Sequence, residues 1–249
     1  NTTLLISILL ITGSLGWFVS AIAGGGSSLI LIPVVSLLLG TAAVPATITI
    51  GALFGNVERA TIYWDKINWK VVRWEISGTL IGACWGAFTL TRLKIEWLSL
   101  LLAFFLILSG LTYFFRKDGK IFPVRSWYFL PAGLFYSFLS GLIGSMGPIL
   151  TPFYLSYGLE KEELLATQAM NRAILQVVKA IAYTAFGILT LPYLGYGILL
   201  GLAAFPGNWL GHLVLERISK KRFRQIVICF VLFSGVLLIY EQHAEALLR

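Results

Sequence analysis

Charge is scarce in this chain. Charged residues make up 12% of its 249 residues, about half the share of an ordinary soluble domain. Acids are scarcer than bases, with 11 Asp and Glu against 19 Lys and Arg, and all of them read as lying in loops or near the ends of apolar runs. A cation carrier or a carboxylate proton relay needs Asp or Glu at membrane depth, so the sequence speaks against both. Histidine and cysteine number two each. Cys84 and Cys229 stand singly in apolar stretches and read as small membrane-buried residues, with no CxxC pair and no Cys/His metal cluster. His212 sits near an element end, where a structural role suits it better than proton carriage. HExxH, Walker and GxSxG patterns are absent. Catalysis therefore has no residues to use, and no cofactor or metal is expected.

What fills the chain is apolar. Hydrophobic residues account for 58%, and the mean hydropathy is +0.86. A membrane-crossing helix needs about 20 apolar residues for about 30 Å of hydrocarbon, which leaves room here for roughly ten elements. This excludes a soluble α/β or all-β domain. The net charge of +8 does not require nucleic acid as a partner, because the basic residues cluster in short loops as the positive-inside bias demands. The expected fold class is an all-α polytopic membrane protein. Residues 4–23 end in Ala21-Ile22-Ala23, which fits a small-residue cleavage site, but no Lys or Arg precedes them. An internal repeat includes this segment, so it is expected to be permanent structure.

The repeat organises everything else. Ser20-Ala-Ile-Ala-Gly24-Gly25-Gly26-Ser27-Ser28-Leu-Ile-Leu-Ile-Pro33 resembles Ser140-Gly-Leu-Ile-Gly144-Ser145-Met146-Gly147-Pro148-Ile-Leu-Thr-Pro152. The same offset aligns Ala46-Thr47 with Ala166-Thr167, Asn56 with Gln176, Arg59 with Lys179 and Ala60 with Ala180. A slightly longer offset aligns Gly82, Gly86, Arg92, Ser109 and Gly110 with Gly207, Gly211, Arg217, Ser234 and Gly235. Repeat 1 (residues 1–115) is read as elements 4–23, 27–39, 42–62, 71–90 and 96–115. A basic cytoplasmic linker, 116–126, precedes repeat 2 (127–249), read as elements 127–145, 148–157, 163–186, 192–213 and 223–240. The second element of each half is too short to span, since about 13 residues reach only about 20 Å.

Three basic clusters set the orientation: Arg59, Lys66, Lys70 and Arg73; Arg116, Lys117, Lys120 and Arg125; and Arg217, Lys220, Lys221, Arg222 and Arg224. All three face the cytoplasm if every element reverses direction, which leaves both termini outside. Five elements per half then make the halves inverted-topology repeats, an architecture of many secondary transporters. Each half carries a Gly-rich break leading into a short half-helix.

Gly24, Gly25, Gly26, Ser27 and Ser28 allow backbone to approach a ligand and then open a half-helix whose first N–H groups have no intrahelical partner. Such an end attracts anions. Gly144, Ser145, Met146 and Gly147 repeat the arrangement, with Pro148 expected in the first helical turn. Close helix packing by small residues is the plainer reading. Gln168, Arg172 and Gln176 follow at i, i+4 and i+8 on one helix face, with Asn171 beside them and Lys179 near it. Arg172 falls near mid-depth, where a charge costs at least about 2.5–3.5 kcal/mol without water or a partner. The sequence offers it no acid at that depth. Its partner is then a visiting anion, or else backbone carbonyls, water or the interface. Asn56, Arg59 and Lys179 read as access-path charges, or as side chains snorkelling to the interface.

The glycine pairs Gly78/Gly82/Gly86, Gly51/Gly55 and Gly207/Gly211 are small-xxx-small spacings for helix packing, and Trp64, Trp69, Trp74, Trp97 and Trp127 mark interfaces. The two Gly-rich segments at 20–33 and 141–152, with Ala166-Thr167-Gln168-Ala-Met-Asn171-Arg172 behind the second, resemble the paired signatures of the TauE/SafE (TSUP) family of sulfite and organosulfonate exporters. Here the second signature reads Gly-Ser-Met-Gly where a longer glycine run is often seen. The resemblance implies a multi-pass protein of the inner membrane that moves small sulfur-containing or organic anions. The expected partners are a small anionic substrate and the lipid bilayer, without nucleic acid; coupling ion and oligomeric state are not written in these residues. A passive anion channel and a non-transporting membrane subunit are the alternatives, and counterflow separates carrier from channel.

Overall fold

The structure, a computed structural model, describes residues 2–92, 124–143, 145–146 and 148–247. The expected element 96–115, linker residues 116–123, Gly144 and Gly147 lie outside the described residues. Among those described, all regular structure is helical: α1 (Thr2–Ile22), α2 (Ser28–Leu39), α3 (Val44–Ile62), α4 (Trp69–Leu90), α5 (Phe129–Ile143), α6 (Thr151–Tyr157), α7 (Lys161–Ala185), α8 (Leu191–Arg217) and α9 (Lys220–Leu247). Two of them, Thr3–Ile22 and Leu191–Arg217, are long and apolar enough by themselves to cross a membrane. Others, α7 above all, have the length but bury polar side chains among their neighbours.

Local chemistry sets the ends. α1 stops where Gly24, Gly25 and Gly26 take φ of 74°, 123° and 96° in succession, a backbone that L side chains resist. α2, with 12 residues, rises about 18 Å and is too short to span, as expected. Asn68 caps α4 by accepting from the Val71 N–H. α6 is shorter than the sequence suggests. The Thr151 N–H donates to Pro148 O, so Pro148 closes a turn, and the proline in the first helical turn is Pro152. At seven residues α6 has little dipole to offer an anion.

α1 lies along α8 and α5 along α4, while α3 and α7 pack together centrally and touch α8 and α4 respectively. Glycine makes the outer contacts close. A Cβ on Gly78, Gly82 or Gly86 would sit 2.1 Å from the carbonyl oxygen of Leu130, Leu134 or Phe138, so these positions carry α5 directly on the α4 backbone. Gly207 and Gly211 meet Ser14 O and Ala21 Cβ on α1 at 2.3 Å in the same sense.

α4 and α5 run parallel, with Gly78, Gly82 and Gly86 meeting Leu130, Leu134 and Phe138 in order, while α6 turns back from α5 and α8 from α7. Asn68 donates from its backbone to Thr167 Oγ1 at 2.9 Å and from Nδ2 to Glu163 at 3.1 Å. Tyr63 meets His212 at 3.0 Å, and Lys220 meets Glu160 at 3.7 Å. Phe129 packs on Phe153 and Tyr157. The segments after α3, before α5, after α6 and after α8 thus gather at one end, while Phe88 meets Phe186 at the other.

Candidate functional site

α7 is the polar helix of the structure, and Arg172, twelfth of its 25 residues, lies at its middle. The break after α1 is placed against it. A Cβ on Gly25 would lie 2.9 Å from Arg172 Nη1 and 3.3 Å from Gln168 Oε1. Gln168 Nε2 donates to Thr151 Oγ1 at 3.0 Å, and that hydroxyl donates to Gly24 O at 3.1 Å. A Cβ on Gly26 would meet Pro148 Cδ at 3.4 Å and clash with Phe230. The glycine segment after α1 therefore meets Pro148 and Thr151, and Gly25 and Thr151 meet α7 at Arg172 and Gln168.

The remaining candidates divide. Ser28 is buried beside this segment, and Ser27 begins α2 without a side-chain capping bond. Met146 belongs to the apolar core that includes Leu142, Leu150 and Tyr154. Ser145 is half-buried. Gln176 is buried, and among the described residues its Oε1 has no hydrogen-bond partner.

One expectation is overturned. Arg172 does have an acid within electrostatic reach at depth, Glu75. Glu75 is only the seventh residue of α4, so distance from an element end made it look peripheral, yet it is 3% exposed. Tyr154 donates its hydroxyl to Glu75 Oε2, and Asn171 Nδ2 donates to the same oxygen at 2.6 Å and to Tyr154 Oη at 3.1 Å. Tyr136 on α5 completes the surround, with its ring 5.8 Å from the Arg172 guanidinium carbon and a hydrogen bond between the two side chains. A signal was available in the sequence. Glu75 is in register with Gly78, Gly82 and Gly86 on the helix stripe that packs inward.

Snorkelling by the flanking cations is likewise overturned. Arg59 is 3% exposed and Lys179 is fully buried. Arg59 donates from Nε (3.1 Å) and Nη2 (2.7 Å) to Asn208 Oδ1, from Nη1 to Ser20 Oγ at 3.1 Å and from Nη2 to Trp17 O. Lys179 Nζ donates to Ser140 Oγ at 3.3 Å. Each cation finds a serine 39 residues before it, and helix-to-helix partners satisfy both where an outward reach to water would not. Asn56 is buried and donates to Ala52 O at 2.7 Å.

The sulfite exporter TauE/SafE family model matches residues 9–238, a span that takes in both Gly-rich segments, Glu75 and all of α7. The chain belongs to the TauE/SafE family. No curated protein and no solved structure matches it. As a TauE/SafE member it is a membrane transport protein of the sulfite-exporter type, and the buried polar centre between α1, α4 and α7 is where its chain departs most from an apolar bundle.

Proposed function

We propose that this TauE/SafE protein is a secondary transporter of small sulfur-containing or organic anions, such as sulfite or organosulfonates, working by alternating access around Gly25 and Arg172. One observation carries the reading: a glycine backbone stands directly against a half-buried guanidinium at the middle of α7, and only the missing side chain leaves the space between them. An anion held there takes charge-assisted hydrogen bonds from Arg172 and a polar wall from Gln168 and Thr151.

Alternating access follows from two inverted repeats. Supporting them are the Ser20–Arg59 and Ser140–Lys179 pairs, equal in sequence separation. The reciprocal packing of α1 on α8 and α5 on α4, about a central α3–α7 contact, also supports them. Rocking of one half against the other around that contact exposes Arg172 to each side in turn. The basic segments gathered at one end support a reading in which that end faces the cytoplasm, with the protein in the inner membrane and both termini outside.

The test is flux of sulfite and ethanesulfonate into liposomes containing the purified protein. Uptake stimulated by the same anion inside, and abolished in Arg172→Ala, is the expected result. Flux equal to that of protein-free liposomes overturns transport, and flux without trans-stimulation makes the protein a channel.

A further inference from the structure

We propose that Glu75 is a proton-binding site that couples proton movement to anion movement, because its carboxylate and the transported anion compete for Arg172. The inference rests on the transport reading above and names the coupling ion it leaves open.

Charge balance comes first. Glu75 is buried, and the half-buried Arg172 lies within electrostatic reach of it, so that together they make a neutral pair. The titratable and charged groups that face Glu75 from the elements packed around it are Tyr136 of α5, Tyr154 of α6 and Arg172 of α7. Gly133 of α5 packs its backbone against the Glu75 side chain, where a Cβ would lie 2.7 Å from Cγ. Among the described residues this wall brings a single full positive charge. Adding an anion to an ionised Glu75 would set two negative charges around one guanidinium in a low-dielectric place, which disfavours both. A proton on Glu75 removes the conflict. The site then holds Arg172, a neutral acid and the anion, and its net charge stays zero.

The hydrogen bonds around Glu75 accommodate that proton. Asn171 donates through Nδ2 to Glu75 Oε2, while its buried Oδ1 has no partner among the described residues. A carboxylic acid needs an acceptor for its new O–H. Rotating the Asn171 amide presents Oδ1 in place of Nδ2 and supplies one. Tyr154 bonds to both groups, and its hydroxyl also donates or accepts. An apolar surround would fix Glu75 as the neutral acid and a purely donating one as the anion; this one serves either form.

The cycle balances. A proton from water binds a Glu75 oxygen, the Glu75–Arg172 interaction loosens, and the anion takes the guanidinium. On the other side the anion leaves, Glu75 returns its proton to water, and the pair re-forms. One proton accompanies each monovalent anion and no net charge crosses. By linkage, once Glu75 is ionised, anion affinity falls about tenfold per pH unit.

The test uses ethanesulfonate, which carries no titrating proton of its own between about pH 5 and about pH 9. In wild-type proteoliposomes, an imposed pH gradient drives ethanesulfonate uphill, and an imposed membrane potential leaves the flux unchanged. Glu75→Gln keeps downhill exchange, loses proton-driven accumulation and becomes sensitive to the potential, since the anion's charge is then uncompensated. Titration calorimetry of wild type, in buffers of different ionisation enthalpy, reads proton uptake on binding without any variant. Absence of uptake, or proton-driven accumulation persisting in Glu75→Gln, overturns the assignment. A wild type that exchanges anions but ignores the pH gradient overturns the coupling and leaves the transport reading standing. A wild type that moves no anion overturns both.

Discussion

Gly25 stands so near Arg172 that a single methyl group would lie 2.9 Å from its Nη1. The φ of 123° at Gly25 is one that alanine adopts only under strain, at about 1–3 kcal/mol. Gly25→Ala is therefore expected to do two separable things, lowering stability and displacing the guanidinium. Gly158 is the control, because it has φ of 110° with nothing within 4 Å of its would-be Cβ. Both variants should lose thermal stability to a similar degree. Only Gly25→Ala should also weaken anion binding by about tenfold or more, which corresponds to about 1.4 kcal/mol. Calorimetric anion binding beside thermal unfolding checks this, and equal binding by the two variants would remove Gly25 from the site.

Why Arg172 was legible in the sequence and Glu75 was not is a matter of what each signal measures. A cation in the middle of an apolar helix is visible at once, because depth along one helix follows from counting residues. Burial of Glu75 depends on which stripe of α4 turns inward, and the counting rule placed it near an end. The stripe was written in Gly78, Gly82 and Gly86, but it was read only as packing. Arg59 misled for the opposite reason. Its nearness to the end of α3 suggested a reach to water, whereas its acceptor, Asn208, lies 149 residues away on α8, beyond any local pattern. The start of α6 shifted because Pro148 closes a turn, and a second proline four residues later is equally suited to a first helical turn. The helix-packing glycines were legible because they rest on spacing within single helices.

Asn208 holds the Arg59 cluster together. Its Oδ1 accepts two bonds from the guanidinium, and its Nδ2 donates to Gly55 O at 2.9 Å and Glu58 Oε2 at 2.8 Å. Asn208→Leu leaves a buried cation short of its main acceptor, and breaking a buried charged interaction in this way costs about 3–5 kcal/mol. Adding Arg59→Met removes the stranded charge with a side chain of similar length. The double variant is expected to be more stable than Asn208→Leu alone, with a coupling of about 0.5–3 kcal/mol. Thermal unfolding of the four proteins in detergent measures it. Strict additivity would mean that Arg59 draws its stability from elsewhere, for instance from the Trp17 ring 5.1 Å away.

Gly82 tests whether the α4–α5 contact positions Glu75. A Cβ there would stand 2.1 Å from Leu134 O, and backbone on both sides leaves no side chain to swing away. Gly82→Ala must push the helices apart, an overpacking expected to cost about 1–3 kcal/mol. Gly195 near the start of α8 has open space around it, so Gly195→Ala gains up to about 1 kcal/mol of helix propensity instead. The opposite signs separate packing from propensity. Because Glu75 rides on the same stripe of α4 and its Cγ packs on Gly133, parting α4 from α5 moves the carboxylate relative to Arg172 as well. Gly82→Ala should therefore weaken proton-driven anion accumulation although it lies two turns from the carboxylate, while Gly195→Ala should not. Normal accumulation in a destabilised Gly82→Ala would show that Glu75 is held by α6 and α7 alone, through Tyr154 and Asn171.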